Sequence, residues 1–241
     1  MYNIHGRKIG LAMILMCFLC AQGFSQIKAK DNYNYLDFQK KAYYFGISLG
    51  LNSSSYQVSK SSNFISNDSI NIVNGIYRPG FNLHIITNLK IGEYFDFRFI
   101  PGFSFTERIF EYKIGTGDDL STKSIESVFV ELPFLLRFKS EPYNDKRLFL
   151  LAGVKYDYDV ASNSRAAKDK AQFLVQVSPH DFSVEVGAGV QFFFPYFIFS
   201  PEIKFSQGIG NVHIYKDELI ESNILDNVLS RMISISFNFE G

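Results

Sequence analysis

Eight segments of this sequence alternate strictly between apolar side chains and small, polar or charged ones. Such a period of two is typical of β-strands whose two faces meet different surroundings. No residue on the apolar faces is Asp, Glu, Lys or Arg, although 20% of the chain is charged. The pattern predicts an all-β protein with eight antiparallel strands, at residues 43–52, 81–89, 95–106, 128–138, 148–158, 182–192, 197–207 and 233–239.

The composition of the two faces indicates which of them lies inside. The chain has 26 Phe and 14 Tyr, and the apolar faces carry more rings than the interior of a small barrel encloses. The reverse arrangement, with rings toward lipid and charges paired in a polar lumen, suits a transmembrane barrel, whose closure also satisfies every backbone group. The charged residues assigned to the lumen are Asp96, Arg98, Glu131, Arg137, Lys155, Asp157, Asp159, Glu185, Glu202 and Lys204.

The connections between the predicted strands alternate between long and short. Those at 53–80, 107–127, 160–181 and 208–232 are long, and those at 90–94, 139–147 and 193–196 are short. This alternation is typical of an up-and-down outer-membrane barrel with long outer loops and both termini in the periplasm. Pro101, Pro133 and Pro201 fall inside strands, where we expect bulges.

The N-terminus has the features of an export signal. Residues 1–8 carry His5, Arg7 and Lys8 as a basic n-region, residues 9–20 are apolar, and Gly23 to Ser25 form a small-x-small cleavage site. We therefore predict a signal peptide at 1–25, a periplasmic N-terminal arm at 26–42, and an integral outer-membrane β-barrel at 43–241. Both cysteines, Cys17 and Cys20, lie in the signal segment, so no disulfide is expected.

The charge balance bears on possible partners. The chain has 24 Lys+Arg and 24 Asp+Glu, without the basic stripe that nucleic-acid binding requires. We expect outer-membrane lipid as a partner, and neither nucleic acid nor a small-molecule substrate.

Four of the predicted lumen residues carry carboxylates of the kind that acid/base catalysis uses. They are Asp157, Asp159, Glu185 and Glu202. The favoured interpretation is an ion-pair network, because unpaired charges in a narrow interior are costly. The basic partners in that network are Arg98, Arg137, Lys155 and Lys204. A filled lumen also argues against an open pore.

Two groups of residues resemble catalytic or metal sites only in composition. Ser178, His180, Asp181 and Ser183 supply the groups of a hydrolase triad, but neighbours on a strand point to opposite faces. His213, Asp217 and Glu218 have no recognised metal-ligand spacing, and His84 is expected to face the lumen alone. We predict no catalytic, cofactor-binding or metal residues, no cofactor, and a protein that is not an enzyme.

Several segments resemble one known family. They are YLDFQKKAYYFGISLGLN (35–52), VELPFLLRFK (130–139), LAGVKYDYDVASN (151–163), SPHDFSVEVGAGVQFFF (178–194) and FSPEIKFSQGIGN (199–211). They are similar to the PorT/SprT family of the type IX secretion and gliding-motility apparatus of Bacteroidota. The resemblance implies an outer-membrane barrel required for assembly or function of type IX secretion, with other subunits of that system as partners. The barrel and its compartment follow from the residues, whereas the secretion role follows from the resemblance alone.

Three other interpretations stay open. A general porin or adhesin barrel would bind a ligand or partner through its long outer loops. A lipid-modifying enzyme would depend on Ser178 or His180. A soluble β-barrel would enclose the apolar faces instead of exposing them.

Overall fold

The computed structural model describes residues 32–60, 70–114, 120–161, 176–214 and 225–241. The predicted signal peptide lies outside these ranges. The described chain forms a short helix, α1, followed by twelve strands. Their bounds are α1 Tyr33–Gln39, β1 Tyr43–Lys60, β2 Ile70–Ile76, β3 Arg78–Lys90, β4 Phe95–Phe99, β5 Gly102–Ile114, β6 Leu120–Lys139, β7 Lys146–Asp159, β8 Gln176–Val177, β9 His180–Phe193, β10 Ile198–Gly208, β11 His213–Ile214 and β12 Leu225–Glu240.

Ten of the strands form one antiparallel sheet that closes on itself. The first strand pairs with the last, β12, on one side and with β3 on the other. β4 and β5 together make one crossing of the wall, since both pair with β3 and β6. β2 and β3 make another, since both pair with β5. The predicted eight-stranded up-and-down barrel is confirmed, with two of its eight crossings interrupted.

The apolar faces point outward and the polar faces inward. Ile85 and Leu148 are each 62% exposed, whereas Arg98 and Arg137 are fully buried. In a barrel this exposed apolar surface is the part that contacts lipid. Among the described residues, no helix is both long and apolar enough to span a membrane.

Three short turns and α1 lie at the same end of the barrel. The β6–β7 turn places Asn144 and Asp145 at positive φ, 49° and 54°, the conformation of a type I′ hairpin. Gly92, at φ 103°, occupies the β3–β4 turn. Because short turns of outer-membrane barrels face the periplasm, we call this the periplasmic end and the other the outer end.

The strands run well beyond the segments that alternation predicts. β1 continues to Lys60 and β12 begins at Leu225, so much of the predicted long connections is strand. The reason is a reversal of phase: apolar residues are odd-numbered from Tyr43 to Leu51, but Tyr56 is buried inside the barrel at an even position. Where the barrel extends beyond the lipid, its apolar side chains point inward and its polar ones outward, as in a soluble protein. A pattern that keeps apolar residues at the same alternate positions therefore does not recognise these parts of the strands.

The three strand prolines do not produce the predicted bulges. Across Pro101, β3 keeps one register, with Thr87 opposite Phe99 and Phe81 opposite Phe105. The ladders past Pro133 and Pro201 are likewise in constant register. The bulge prediction is wrong because a missing N–H removes one ladder bond without requiring an extra residue. The register shifts lie instead near the outer rim, at Ser59/Lys60 and Ile70/Ile72.

Candidate functional site

The periplasmic half of the lumen is filled by a connected set of ion pairs. Arg98 donates to Glu202 at 3.0 Å and to Glu240 at 3.0 Å. Arg137 donates to Asp96 at 2.7 Å and reaches Glu240 at 3.4 Å. The predicted lumen network is thus present here. It is completed by two further pairs, Lys139 with Asp96 and Lys204 with Glu202 at 3.7 Å.

Neutral side chains complete the coordination of Arg137. Its guanidinium donates to the Tyr44 hydroxyl and, at 3.0 Å, to Oδ1 of Asn88. It also lies 5.2 Å from the ring of Phe149. Sequence reasoning did not single out Tyr44 or Asn88, although both occupy inward positions of predicted strands.

A second cluster of ion pairs lies further toward the outer end. Lys155 is 2.9 Å from Glu131, 3.2 Å from Asp157 and 3.8 Å from Glu185. The second carboxylate oxygen of Glu131 lies 2.8 Å from Nε2 of His84. The expectation that His84 faces the lumen alone is therefore wrong. Gly102 on β5 lies opposite both His84 and Glu131, so the two side chains meet over a glycine, a contact that the period of a single strand does not reveal.

Negative charge is in excess at this level. Glu131, Asp157 and Asp181 face one another across consecutive strands, and Asp181 is 3% exposed. Neither carboxylate oxygen of Asp181 has a hydrogen-bond partner among the described residues. The four carboxylates for which acid/base catalysis was the less favoured interpretation are therefore buried in the barrel interior, in ion pairs or beside like charges.

The buried charges are segregated along the barrel axis. Among the described residues, the periplasmic half has more cations than carboxylates and the outer half has the opposite excess. The periplasmic set is Arg98, Arg137, Lys139, Arg147 and Lys204 against Asp96, Glu202 and Glu240. The outer set is Lys155 and Arg108 against Glu131, Asp157, Asp159, Asp181 and Glu185.

An apolar cluster fills the outer mouth. Tyr56 and Phe110 stack with centroids 4.9 Å apart, and Val212 packs beside them from the segment next to β11. Below them, the guanidinium of Arg108 lies 4.9 Å from the Tyr56 ring and 4.8 Å from the Phe129 ring. The other buried members are Ile125, Leu225 and Val228. Within the described residues, the lumen is closed at this end.

Helix α1 covers the periplasmic mouth. Tyr35 and Phe38 on its inner face pack against Tyr44, Phe193 and Ile198. Part of the predicted periplasmic arm is therefore ordered structure, because two aromatic residues three apart lie on one face of a helix.

The start of α1 is capped by a residue from a distant turn. Asp145 Oδ1 accepts hydrogen bonds from the backbone N–H groups of Asn34 and Tyr35, each at 3.0 Å. The Asp145 N–H in turn donates to Asn32 Oδ1 at 2.9 Å. Free N–H groups at a helix N-terminus favour such a carboxylate. The turn between β6 and β7 thus holds the N-terminal arm on the barrel.

Two cations beside α1 have only neutral partners among the described residues. Arg147, 3% exposed, donates to the carbonyl oxygens of Ser140 and Glu93 and, at 3.2 Å, to the Tyr35 hydroxyl. Burial raises the pKa of the Tyr35 phenol, so this hydroxyl is uncharged. Lys90 donates to the carbonyl oxygen of Phe38 at the end of α1.

The described residues of β1 and β2 lie side by side at the outer end without regular pairing, and the Tyr56 carbonyl oxygen lies against Gly75. β1 pairs with β3 only as far as Ser54 opposite Arg78. Beyond that point β1 and β2 have no ladder between them in the described residues. A groove lined by Tyr56, Val58, Asn74 and Tyr77 runs between them.

The residues that resembled a hydrolase triad are not assembled into one. His180 is exposed, and its Nδ1 lies 2.7 Å from the Tyr156 hydroxyl, whereas Asp181 points into the lumen. Ser178 Oγ interacts with the backbone of His180 at 3.1 and 3.2 Å rather than with the imidazole. Ser183 is 1% exposed and accepts from Ser206 in the lumen at 3.0 Å.

Of the candidate metal group, only His213 belongs to the described residues. Burial lowers the pKa of the His213 imidazole, and Asp217 and Glu218 lie outside the described residues. Within those residues, no three His, Cys, Asp or Glu side chains are arranged to hold a metal ion.

Three solved structures are similar to this chain over most of its length. OprG of Pseudomonas aeruginosa is 10% identical with a TM-score of 0.44, over 83% of this chain and 95% of OprG. Ail of Yersinia pestis is 14% identical with a TM-score of 0.36, over 83% of this chain and 100% of Ail. Neisserial surface protein A is 12% identical with a TM-score of 0.39, over 80% of this chain and 95% of that protein. No curated protein matches the sequence significantly.

The family model of the outer membrane protein beta-barrel domain matches residues 24–213, from the predicted cleavage site to β11. This match agrees with the closed sheet, the exposed apolar faces and the polar lumen. The predicted location in the outer membrane is confirmed. The chain therefore belongs to the outer membrane protein beta-barrel domain family.

Proposed function

We propose that this protein is a non-enzymatic, non-conducting barrel that acts in type IX protein secretion by docking other subunits. The observation that carries the non-conducting part is the closed lumen. Arg98 and Arg137 are fully buried in ion pairs, the outer mouth is filled by apolar residues, and α1 covers the periplasmic mouth. Within the part of the chain that the structure describes, a lumen packed in this way leaves no continuous aqueous path.

The secretion role rests on the resemblance to the PorT/SprT family. The segments that carry it include wall strands and also the segment 35–52, which contains most of α1 and the first half of β1. A barrel that does not conduct contributes to a secretion system through its surfaces. Those available are the lipid face, the outer rim with the groove between β1 and β2, and the periplasmic face formed by α1 and the short turns.

Deletion of the gene in its host tests the secretion role. A known type IX cargo is followed by immunoblot in periplasm, cell surface and medium. We expect the cargo to accumulate in the periplasm and to be exported again when the wild-type gene is restored. Normal cargo export by the deletion strain would contradict the secretion role while leaving the barrel and its compartment unchanged.

A second candidate function is adhesion, or ligand binding, at the outer rim. It is favoured by the extension of β1 and β2 beyond the apolar band and by the groove between them, where Tyr77 is 43% exposed. Binding of intact cells to a host or matrix surface, lost on deletion while cargo export is normal, would support adhesion over secretion.

A further inference from the structure

The periplasmic mouth contains positive charge that the described residues do not neutralise. Arg147 makes three hydrogen bonds, all to carbonyl or hydroxyl oxygens, so two of the five guanidinium N–H groups remain. Lys90 donates to the carbonyl oxygens of Phe38 and Gln39, the second at 3.4 Å. Lys139 shares its one carboxylate, Asp96, with Arg137. Buried cations in excess of carboxylates are costly unless an anion accompanies them.

These three cations line one cavity. It has a volume of about 330 Å³ and lies between α1 and the barrel rim. Lys40 and Lys41 at the end of α1 also line it. Among the described residues, its only acidic lining residue is Glu93, which is exposed. The electrostatic potential inside therefore favours an anion.

Much of the rest of the cavity wall is apolar, and the glutamines Gln39 and Gln191 that also line it are uncharged. Phe38, Phe193 and Ile198 line it together with the ring of Tyr35. Binding sites for small molecules combine such apolar walls with a few polar groups that orient the ligand. A bare anion would contact only the cationic part of the cavity. An anionic group attached to an apolar chain would contact both the cations and the apolar wall.

We propose that this cavity binds a small anionic amphiphile, with a phosphate or carboxylate group at Arg147 and Lys90 and an apolar chain against Phe38, Phe193 and Ile198. The ligand would add its charge to the periplasmic half of the lumen and would hold α1 on the barrel. The site does not depend on the proposed secretion role. An anionic lipid and a soluble phosphate share the chemistry that Arg147 recognises, and the test separates them.

The test measures binding to the full-length protein purified in an uncharged detergent. Isothermal titration calorimetry uses three probes: dihexanoylphosphatidylglycerol, dihexanoylphosphatidylcholine with the same chains, and inorganic phosphate. We expect saturable binding of the phosphatidylglycerol and none of the phosphatidylcholine at the same concentration. Phosphate binding that competes with the phosphatidylglycerol would identify the head group as the recognised part. Phosphate binding without phosphatidylglycerol binding would overturn the apolar half of the proposal.

Matched variants show whether the binding occurs at this cavity. Arg147→Gln is expected to weaken phosphatidylglycerol binding by about tenfold or more, since a hydrogen bond to a charged group contributes roughly 1.5–3 kcal/mol. Lys146→Gln removes the same charge from the exposed neighbour on the opposite face and should leave the affinity unchanged. Lys90→Gln is the second cavity variant and should also weaken phosphatidylglycerol binding. It provides the test if the Arg147 variant does not fold. Equal affinities in wild type and both cavity variants would overturn the proposal.

Discussion

The carboxylate of Glu240 lies 3.0 Å from the guanidinium of Arg98, and both side chains are fully buried inside the barrel. Glu240 ends β12, the strand that closes the barrel by pairing with β1. The ion pair therefore connects the closing strand to β4 across the lumen.

Glu240→Ala should destabilise the barrel strongly. Removing one partner of a buried pair costs about 3–5 kcal/mol when the other charge is left unpaired. Here Arg98 keeps Glu202 and Arg137 keeps Asp96, so we expect the lower end of that range. Urea unfolding in micelles measures the change in the free energy of unfolding. Asp226→Asn removes a charge from an exposed position of the same strand and serves as the control. A similar small effect of both substitutions would contradict the account.

Asp181→Asn should stabilise the barrel, in contrast to Glu240→Ala. Neither oxygen of this buried carboxylate has a hydrogen-bond partner among the described residues, and Asp157 lies directly across from it. A neutral amide removes the like-charge repulsion, so we expect the free energy of unfolding to rise by about 1 kcal/mol.

Glu131→Gln provides the comparison for Asp181→Asn. Glu131 accepts from Lys155 at 2.9 Å and contacts His84 at 2.8 Å, so its neutralisation should lower stability. If Asp181→Asn destabilised the protein as much as Glu131→Gln, then Asp181 would have a partner that this account lacks.

Much of this arrangement could be predicted from the sequence, and the remainder has definite physical causes. The period of two identified Arg98, Arg137, Lys155 and Glu202 as lumen residues because side-chain direction depends only on position along a strand. It could not pair Arg98 with Glu202, 104 residues away, since that contact depends on barrel closure and strand stagger.

The outer end of the barrel and α1 show two other features that the sequence pattern did not predict. The apolar residues change phase between Leu51 and Tyr56, so a strand that leaves the lipid looks like a loop to a single-phase pattern. A search for phase reversals would have found it. The Asp145 cap of α1 joins residues 110 apart, and nothing near Tyr35 in the sequence indicates it.

Removal of the Asp145 cap should release α1 from the periplasmic mouth. Asp145→Ala leaves the N–H groups of Asn34 and Tyr35 without their acceptor, at a cost of about 0.5–2 kcal/mol. Hydrogen exchange at the amides of α1 should accelerate while exchange in the wall strands stays constant. Asp145→Asn keeps one acceptor oxygen and should have an intermediate effect. Unchanged exchange in the Ala variant would mean that the cap does not hold the helix.

A charged residue on the lipid face should destabilise the barrel more the closer it lies to the middle of the bilayer. Ile85 lies near the middle of the apolar band and is 62% exposed, so Ile85→Lys should cost about 2–4 kcal/mol in lipid vesicles. Tyr196→Lys, at the β9–β10 turn where the side chain is 91% exposed, should cost roughly 0–1 kcal/mol. Equal effects at the two positions would contradict the assignment of this face to lipid.

Single-channel recording in planar lipid bilayers tests the closed lumen most directly. The full-length protein is inserted, insertion is verified by protease protection, and current is recorded at both polarities of voltage. The buried ion pairs of Arg98 and Arg137, with both mouths covered, predict no unitary conductance steps above the background of the empty bilayer. Reproducible steps from the wild-type protein would show a continuous water path and would contradict the central claim that this barrel does not conduct.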